Sequence, residues 1–199
     1  MDTLNQIPYF DFLLSAFLGI GLSAATGFRV FLPMFLVSLA SYFHWIPSLN
    51  TFEWLSTLPA LITTGITTLV EILAYYIPVV DNFLDTIAVP MASVAGSVLF
   101  ASQFAGLGTV PQWGLAIIAG GGTAATISSG FAGIRAVSTT TTAGVGNNIV
   151  GSSETAGAGI MTVLAMVIPV IAALIAIFCV VLVVFFGRKA WKKLLSKQN

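Results

Sequence analysis

The chain has 199 residues, 57% of them hydrophobic and only 7% charged, with a formal net charge of zero. Soluble globular domains carry roughly one quarter charged residues, so water is not the main solvent of this chain. Stretches without Asp, Glu, Lys or Arg run from Val30 to Phe52, Thr86 to Ile134 and Thr155 to Gly187, each longer than the roughly 20 residues one helix needs to cross about 30 Å of hydrocarbon.

A β-barrel would alternate apolar and polar positions, whereas the run AALIAIFCVVLVVFF (172–186) is apolar on every side. The expected fold is all-α, a polytopic transmembrane bundle of about six or seven membrane segments, with residues 1–187 as one transmembrane domain and 188–199 as a basic tail. The N-terminal MDTLNQIPYFDF has Asp2 and Asp11 where a secretory signal would be basic, so no cleaved peptide is expected.

The first hydrophobic segment, 9–26, ends in Ala24-Ala25-Thr26-Gly27, and a second, 28–45, opens with Arg29; two spans or one interrupted helix both fit. Pro47, Asn50 and Glu53 then break the pattern, while Trp45 and Trp54 suit an aromatic belt. A third segment, Leu58 to Ile77, contains Glu71 and is closed by Pro78, after which Asp81-Asn82 suit a cap. A fourth covers Ile87 to Leu107. Its small residues fall on two lines, Ala88, Ala92, Gly96 and Ser93, Ser97, Ala101, Ala105, a pattern that lets helix backbones approach closely and places this helix centrally.

The fifth segment, Trp113 to Ala125, passes through Gly120-Gly121-Gly122, which costs helix stability unless backbone packs closely or unwinds there. The sixth, Ser128 to Gly144, is the least hydrophobic. Residues 146–153 read as a polar turn, and the longest apolar run follows from Ala156 to Phe186, long enough that it must tilt, protrude or kink at Pro169. Five of the seven basic residues lie in the tail (Arg188, Lys189, Lys192, Lys193, Lys197), which makes the tail cytoplasmic and, with Trp191, Leu194 and Leu195, an interfacial anchor rather than a nucleic-acid binder.

Self-similarity adds a duplicated architecture. GLSAAT (21–26) matches GGTAAT (121–126), and LAYYIPVV (73–80) matches LAMVIPVI (164–171), in the same order. The expected halves are about 9–85 and 112–187, linked by the helix at about 87–107, with interrupted helices meeting near the midplane as in transporters built from repeats.

Charge at bilayer depth costs at least roughly 2.5–3.5 kcal/mol per residue, so Arg29, Glu71, Arg135 and Glu154 each require a reason. One reading pairs Arg29 with Glu71 and Arg135 with Glu154 around an ion or small-solute pathway that also draws on Thr26, Thr126, Asn147 and Asn148. The other makes them structural ion pairs or snorkelling arginines, with Ser152-Ser153-Glu154 a helix cap. Glu71, between Val70 and Ile72, has no such structural excuse in the sequence. Catalysis and cofactor binding have little to work with. His44 is the only histidine and reads as interfacial, and Cys179 is the only cysteine and reads as a small packing residue. No enzyme activity, metal or cofactor is expected; the expected partners are lipid and, through small-residue faces, copies of the chain or other membrane subunits.

The motifs GLSAATGFRVFLP (21–33), VEILAYYIPVVDNFLD (70–85) and Arg135 followed by NNIVGSSE (147–154) resemble those of the bacterial membrane family catalogued as domain of unknown function 4126. The resemblance covers about residues 15 to 180. It implies a helical protein of the bacterial inner membrane and assigns no activity. Tyr75-Tyr76 stands where the compared members commonly carry a charged pair.

Overall fold

The computed structural model describes residues 9–46, 50–104 and 107–195. The expectations for Asp2, Pro47, Ala105 and Lys197, and for the side chains of Asn50, Asp81, Asn82, Lys193, Leu194 and Leu195, lie outside what it describes. The elements are α1 (Tyr9–Phe28), α2 (Phe31–Tyr42), a 3-10 segment (Asn50–Ser56), α3 (Leu58–Ala74), α4 (Pro78–Ala101), α5 (Thr109–Leu115), a π segment (Ala116–Gly121), α6 (Gly122–Thr142), α7 (Asn147–Val167) and α8 (Pro169–Leu195). Among the described residues, five stretches are long and apolar enough to cross a membrane, one of them the continuous rod Thr109–Thr142.

Proline sets the breaks. Pro33 has no N–H for the Arg29 carbonyl four residues back and its ring crowds that carbonyl, so α1 stops at Phe28 and α2 starts at Phe31. Before Pro78, Ile77 is extended (φ −103°, ψ 109°), and before Pro169, Ile168 leaves the helical region (φ −137°, ψ 73°), as the ring of a following proline requires. The turn from α6 to α7 needs two successive left-handed residues, Ala143 (φ 53°) and Gly144 (φ 88°); glycine takes this without strain. At the end of α2, His44 is left-handed (φ 58°) and exposed, donating its N–H to the Ser41 carbonyl at 3.1 Å.

Contacts between glycines and their neighbours give the helix directions. Gly19 lies against Phe100 while the Ser23 hydroxyl donates to the Gly96 carbonyl at 2.9 Å, so α1 and α4 are antiparallel. Phe100 also lies against Gly120 while Asp85 reaches Arg135, so α6 runs antiparallel to α4 and parallel to α1. Ala165 meets Gly21 and Phe28 meets Gly157, so α7 is antiparallel to α1. Ala172 meets Gly21 and Val183 meets Gly130, so α8 runs with α1. Phe35 against Gly65 and Glu71 against Val30 make α2 and α3 an antiparallel hairpin.

The first helix is the centre of the bundle, packed by α4, α6, α7 and α8. The small-residue lines of α4 face the glycine cluster: a Cβ on Gly120 would stand 2.5 Å from Phe100 Cβ, and one on Gly121 would stand 2.6 Å from Ser97 Oγ. The three glycines therefore do both things the sequence allows, close approach at Gly120 and Gly121 and a π irregularity over the same residues.

Four boundaries differ from the expectation. The fifth and sixth segments are one rod, because the π segment absorbs the glycines without a break. The fourth helix starts at Pro78, ahead of Ile87, and its helical stretch ends at Ala101. Asn147–Ser153 is not a turn but the first two turns of α7. Pro169 does not kink one long helix. It ends α7 and starts α8 in the opposite direction, the reversal following from the opposed packing on α1.

Tyr9, Trp45, Trp54 and Trp113 gather at one end, where Phe52 packs on Trp113 with centroids 6.1 Å apart; Trp191, with Arg188, Lys189 and Lys192, marks the other. Cys179 is half-buried against the core.

Candidate functional site

The Pro33 break leaves Arg29 outside both helices at the corner between α1 and α2. The end of α3, the start of α4, the last third of α6 and the first two turns of α7 meet there. Arg135, on α6, donates from Nε to Glu154 Oε1 at 3.0 Å and from Nη2 to Glu154 Oε2, a bidentate fork. Its Nη1 lies 3.2 Å from Asp85 Oδ1 of α4. Arg29 donates from Nε to Thr155 Oγ1 at 3.1 Å and from Nη2 to the Gly151 carbonyl at 2.8 Å, with Glu154 Oε2 3.8 Å away. The side chains of Arg29, Glu154 and Arg135 are 1%, 2% and 3% exposed, and that of Asp85 is 24% exposed.

Glu71 is placed differently from the expected pair with Arg29. Its two carboxylate oxygens accept the Val30 N–H at 2.8 Å and the Phe31 N–H at 3.0 Å. These amides open α2 and have no carbonyl within that helix to bond, so Glu71 caps α2 from α3, and the partial positive charge of the helix start favours it. The structural reason absent from the sequence around Glu71 is supplied by a helix forty residues earlier. Glu154 moves in the other direction. It sits two turns inside α7 rather than at its start, so it is no cap; its carboxylate holds Arg135.

Tyr75, in the turn between α3 and α4, lies beneath both guanidiniums, with Arg29 Cζ 3.8 Å and Arg135 Cζ 4.1 Å from its ring centroid. Such contacts stabilise desolvated cations. Burial pushes the Tyr75 hydroxyl up to about 12, so it remains a neutral phenol.

Together these groups line a cavity of about 20 Å³, reached by Thr26 and Ser128 as well, which is room for one water. Of the other expected pathway residues, Thr126 bonds the Gly122 carbonyl of its own helix at 2.7 Å, Asn147 is buried and donates to Thr139 Oγ1 at 3.0 Å, and Asn148 is exposed; none of the three lines the cavity. Asp85 and Tyr75, both within the 70–85 motif, were not among the expected pathway residues. The available signal was the start of α4 at Pro78, which puts Asp85 two turns into a helix just as Glu154 is in α7.

The cluster lies toward the tail end of the bundle, whereas the repeat reading places a site midway along it. Val183 touches Gly130 on parallel helices, so Arg135 and Arg188, each five residues on, stand at the same height about 7.5 Å further along. Arg188, the first charge of the tail, and the buried cluster therefore share one level, toward the tail end of the bundle, with the cluster enclosed in protein.

A bundle of opposed apolar helices, five stretches of it long enough to span a bilayer, defines a multi-pass integral membrane protein. The chain belongs to the family described as domain of unknown function (DUF4126), whose model matches residues 16–189. No curated protein and no solved structure matches it.

Proposed function

We propose that the chain conducts or transports a small ion or solute, and that the Arg29, Arg135, Glu154 and Asp85 cluster is its closed tail-side gate. The observation that carries this reading is the convergence of charges from α4, α6, α7 and the α1–α2 corner on one small cavity. Buried ion pairs contribute little net stability compared with apolar packing of equal volume, and this bundle already packs through small residues, so the charges are not needed to hold it together. Ionisable groups inside a membrane protein mark pathways by default. The five basic residues of the tail favour a cytoplasmic tail-side face in a bacterial inner membrane.

Purified protein in liposomes tests the reading: flux of protons, monovalent ions or small organic ions is expected, altered at least about tenfold by Arg135→Met/Glu154→Met. Protein that is folded yet passes none of them removes the basis of the proposal. Two observations favour the alternative of a non-transporting subunit. Each carboxylate of the cluster is satisfied, and α8 leaves Leu174, Phe178, Val181 and Phe185 exposed, as lipid or a partner helix would require. Co-purification of a second membrane protein in mild detergent, with no flux, is the result that reading expects.

A further inference from the structure

A second cavity adjoins the first. The third helix packs on α2, and α4 packs on α1, the π segment and α6, which leaves a groove of about 140 Å³ between α3 and α4 with nearly all-apolar walls, including Thr67, Val70, Leu84, Ile87 and Met91. Its wall residue Val70 is exposed, and so are Ile66, Leu73 and Phe83 on the same two helices, an apolar outer surface that suits hydrocarbon at the mouth. A dry apolar cavity of about 150 Å³ is large enough to take a benzene-sized hydrocarbon. The inner end of the groove is formed by Val30, Glu71, Tyr75 and Ala88, and the same four residues line the charge cavity.

The charges behind that shared wall are not equally satisfied. Glu71 holds two N–H groups, and Glu154 and Asp85 both face Arg135. Arg29, 2% exposed, bonds only neutral oxygens, its nearest carboxylate oxygen is 3.8 Å away, and among the described residues its Nη1 has no hydrogen-bond partner. A buried guanidinium donor without an acceptor is costly, and an acidic oxygen is the acceptor it fits best. The cavity beside it holds a group the size of one water, which admits one oxygen of a carboxylate and excludes a phosphodiester headgroup.

We infer that the α3–α4 groove binds a fatty-acid-like amphiphile from the tail-side leaflet, its hydrocarbon between Thr67 and Met91 and its carboxylate turned to Arg29. The inference deepens the transport reading by naming the class of solute, and for that consequence it rests on it; the binding itself stands on the two cavities.

The test uses the full chain in nanodiscs and a long-chain fatty acid carrying a photoreactive diazirine on its tail, with labelled peptides mapped by mass spectrometry. Labelling is expected on α3 and α4 around Thr67 and Met91, displaced by unlabelled fatty acid but not by the alcohol of equal chain length or by phosphatidylcholine. Thr67→Trp and Met91→Trp, which fill the groove, should each lower it about tenfold, as should Arg29→Gln, while Val181→Trp on the exposed face of α8 leaves it unchanged. Should Arg29→Gln fail to fold, the competition with the alcohol on the unaltered chain still decides the head. Equal displacement by the alcohol, or labelling spread along α8, overturns the inference. Specific labelling in a protein without flux upholds it and refutes the transport reading; flux without specific labelling does the reverse.

Discussion

Replacing Glu154 by Gln removes one charge while keeping the shape of the side chain. Arg135 then loses a bidentate partner in a site where its side chain is 3% exposed. Removing one member of a buried pair generally costs about 3–5 kcal/mol, because the other charge is left uncompensated. Here Asp85 Oδ1 stays 3.2 Å from Nη1 and still faces Arg135, so the cost belongs at the lower end, about 3 kcal/mol. Replacing both partners, Arg135→Met/Glu154→Met, removes the pair together; Asp85, 24% exposed, and Arg29 each lose one charged neighbour, so the double variant should cost about 1–2 kcal/mol, less than the single one. Reversible unfolding in mixed detergent micelles, followed by helical circular dichroism, gives all the free energies. Single and double variants equally destabilised, or a Glu154→Gln variant within about 0.5 kcal/mol of the parent, would refute the buried-pair account of this site.

Glu71→Leu should expose the Val30 and Phe31 amides, at a cost of about 1–2 kcal/mol and with faster hydrogen exchange confined to the start of α2, while Glu71→Gln, which keeps one acceptor, loses less. Gly120→Ala places a methyl 2.5 Å from Phe100 Cβ and should cost about 1–3 kcal/mol, whereas Gly133→Ala, with nothing within 4 Å of its new Cβ, should be neutral or stabilising in the same unfolding assay. The raised Tyr75 hydroxyl binds its proton more tightly in the folded chain; the corresponding stability is present below pH 10 and lost as pH rises from 10.0 to about 12, a loss that Tyr75→Phe should abolish. Since α1 and α8 run in the same direction, Asp11→Cys and Lys192→Cys, each in a Cys179→Ser background, should react with an impermeant thiol reagent from opposite sides of the membrane.

The sequence carries the membrane class, the four charged residues that stand among apolar ones and the small-residue face of α4, because each depends on composition or on spacing within one helix. The partners of the charges depend on helix directions, and those are set by single residues whose effect is local to read but distant in consequence. Pro169 could be read as a kink or a reversal, and only the packing of Ala165 and Ala172 on the same glycine, Gly21, makes it a reversal. Glu71 looked unexplained because its partners are backbone amides, which no sequence pattern displays, freed by a proline break at Pro33. Glu154 looked like a cap because the polar stretch 147–153 resembles a turn; in the fold those residues are helical and hydroxyl-bonded to their own backbone, as Ser152 Oγ is to the Asn148 carbonyl at 2.8 Å.

Whether the cluster opens is most directly tested at Ser128, which is 6% exposed and lines the charge cavity. In a Cys179→Ser background, Ser128→Cys places a thiol where only an open gate admits a small impermeant reagent from the tail side. A gate gives time-dependent modification of folded protein in liposomes, accelerated in a Glu154→Gln variant. Modification that occurs only after unfolding, at the same rate in both proteins, would show a static lock and contradict the proposed gate.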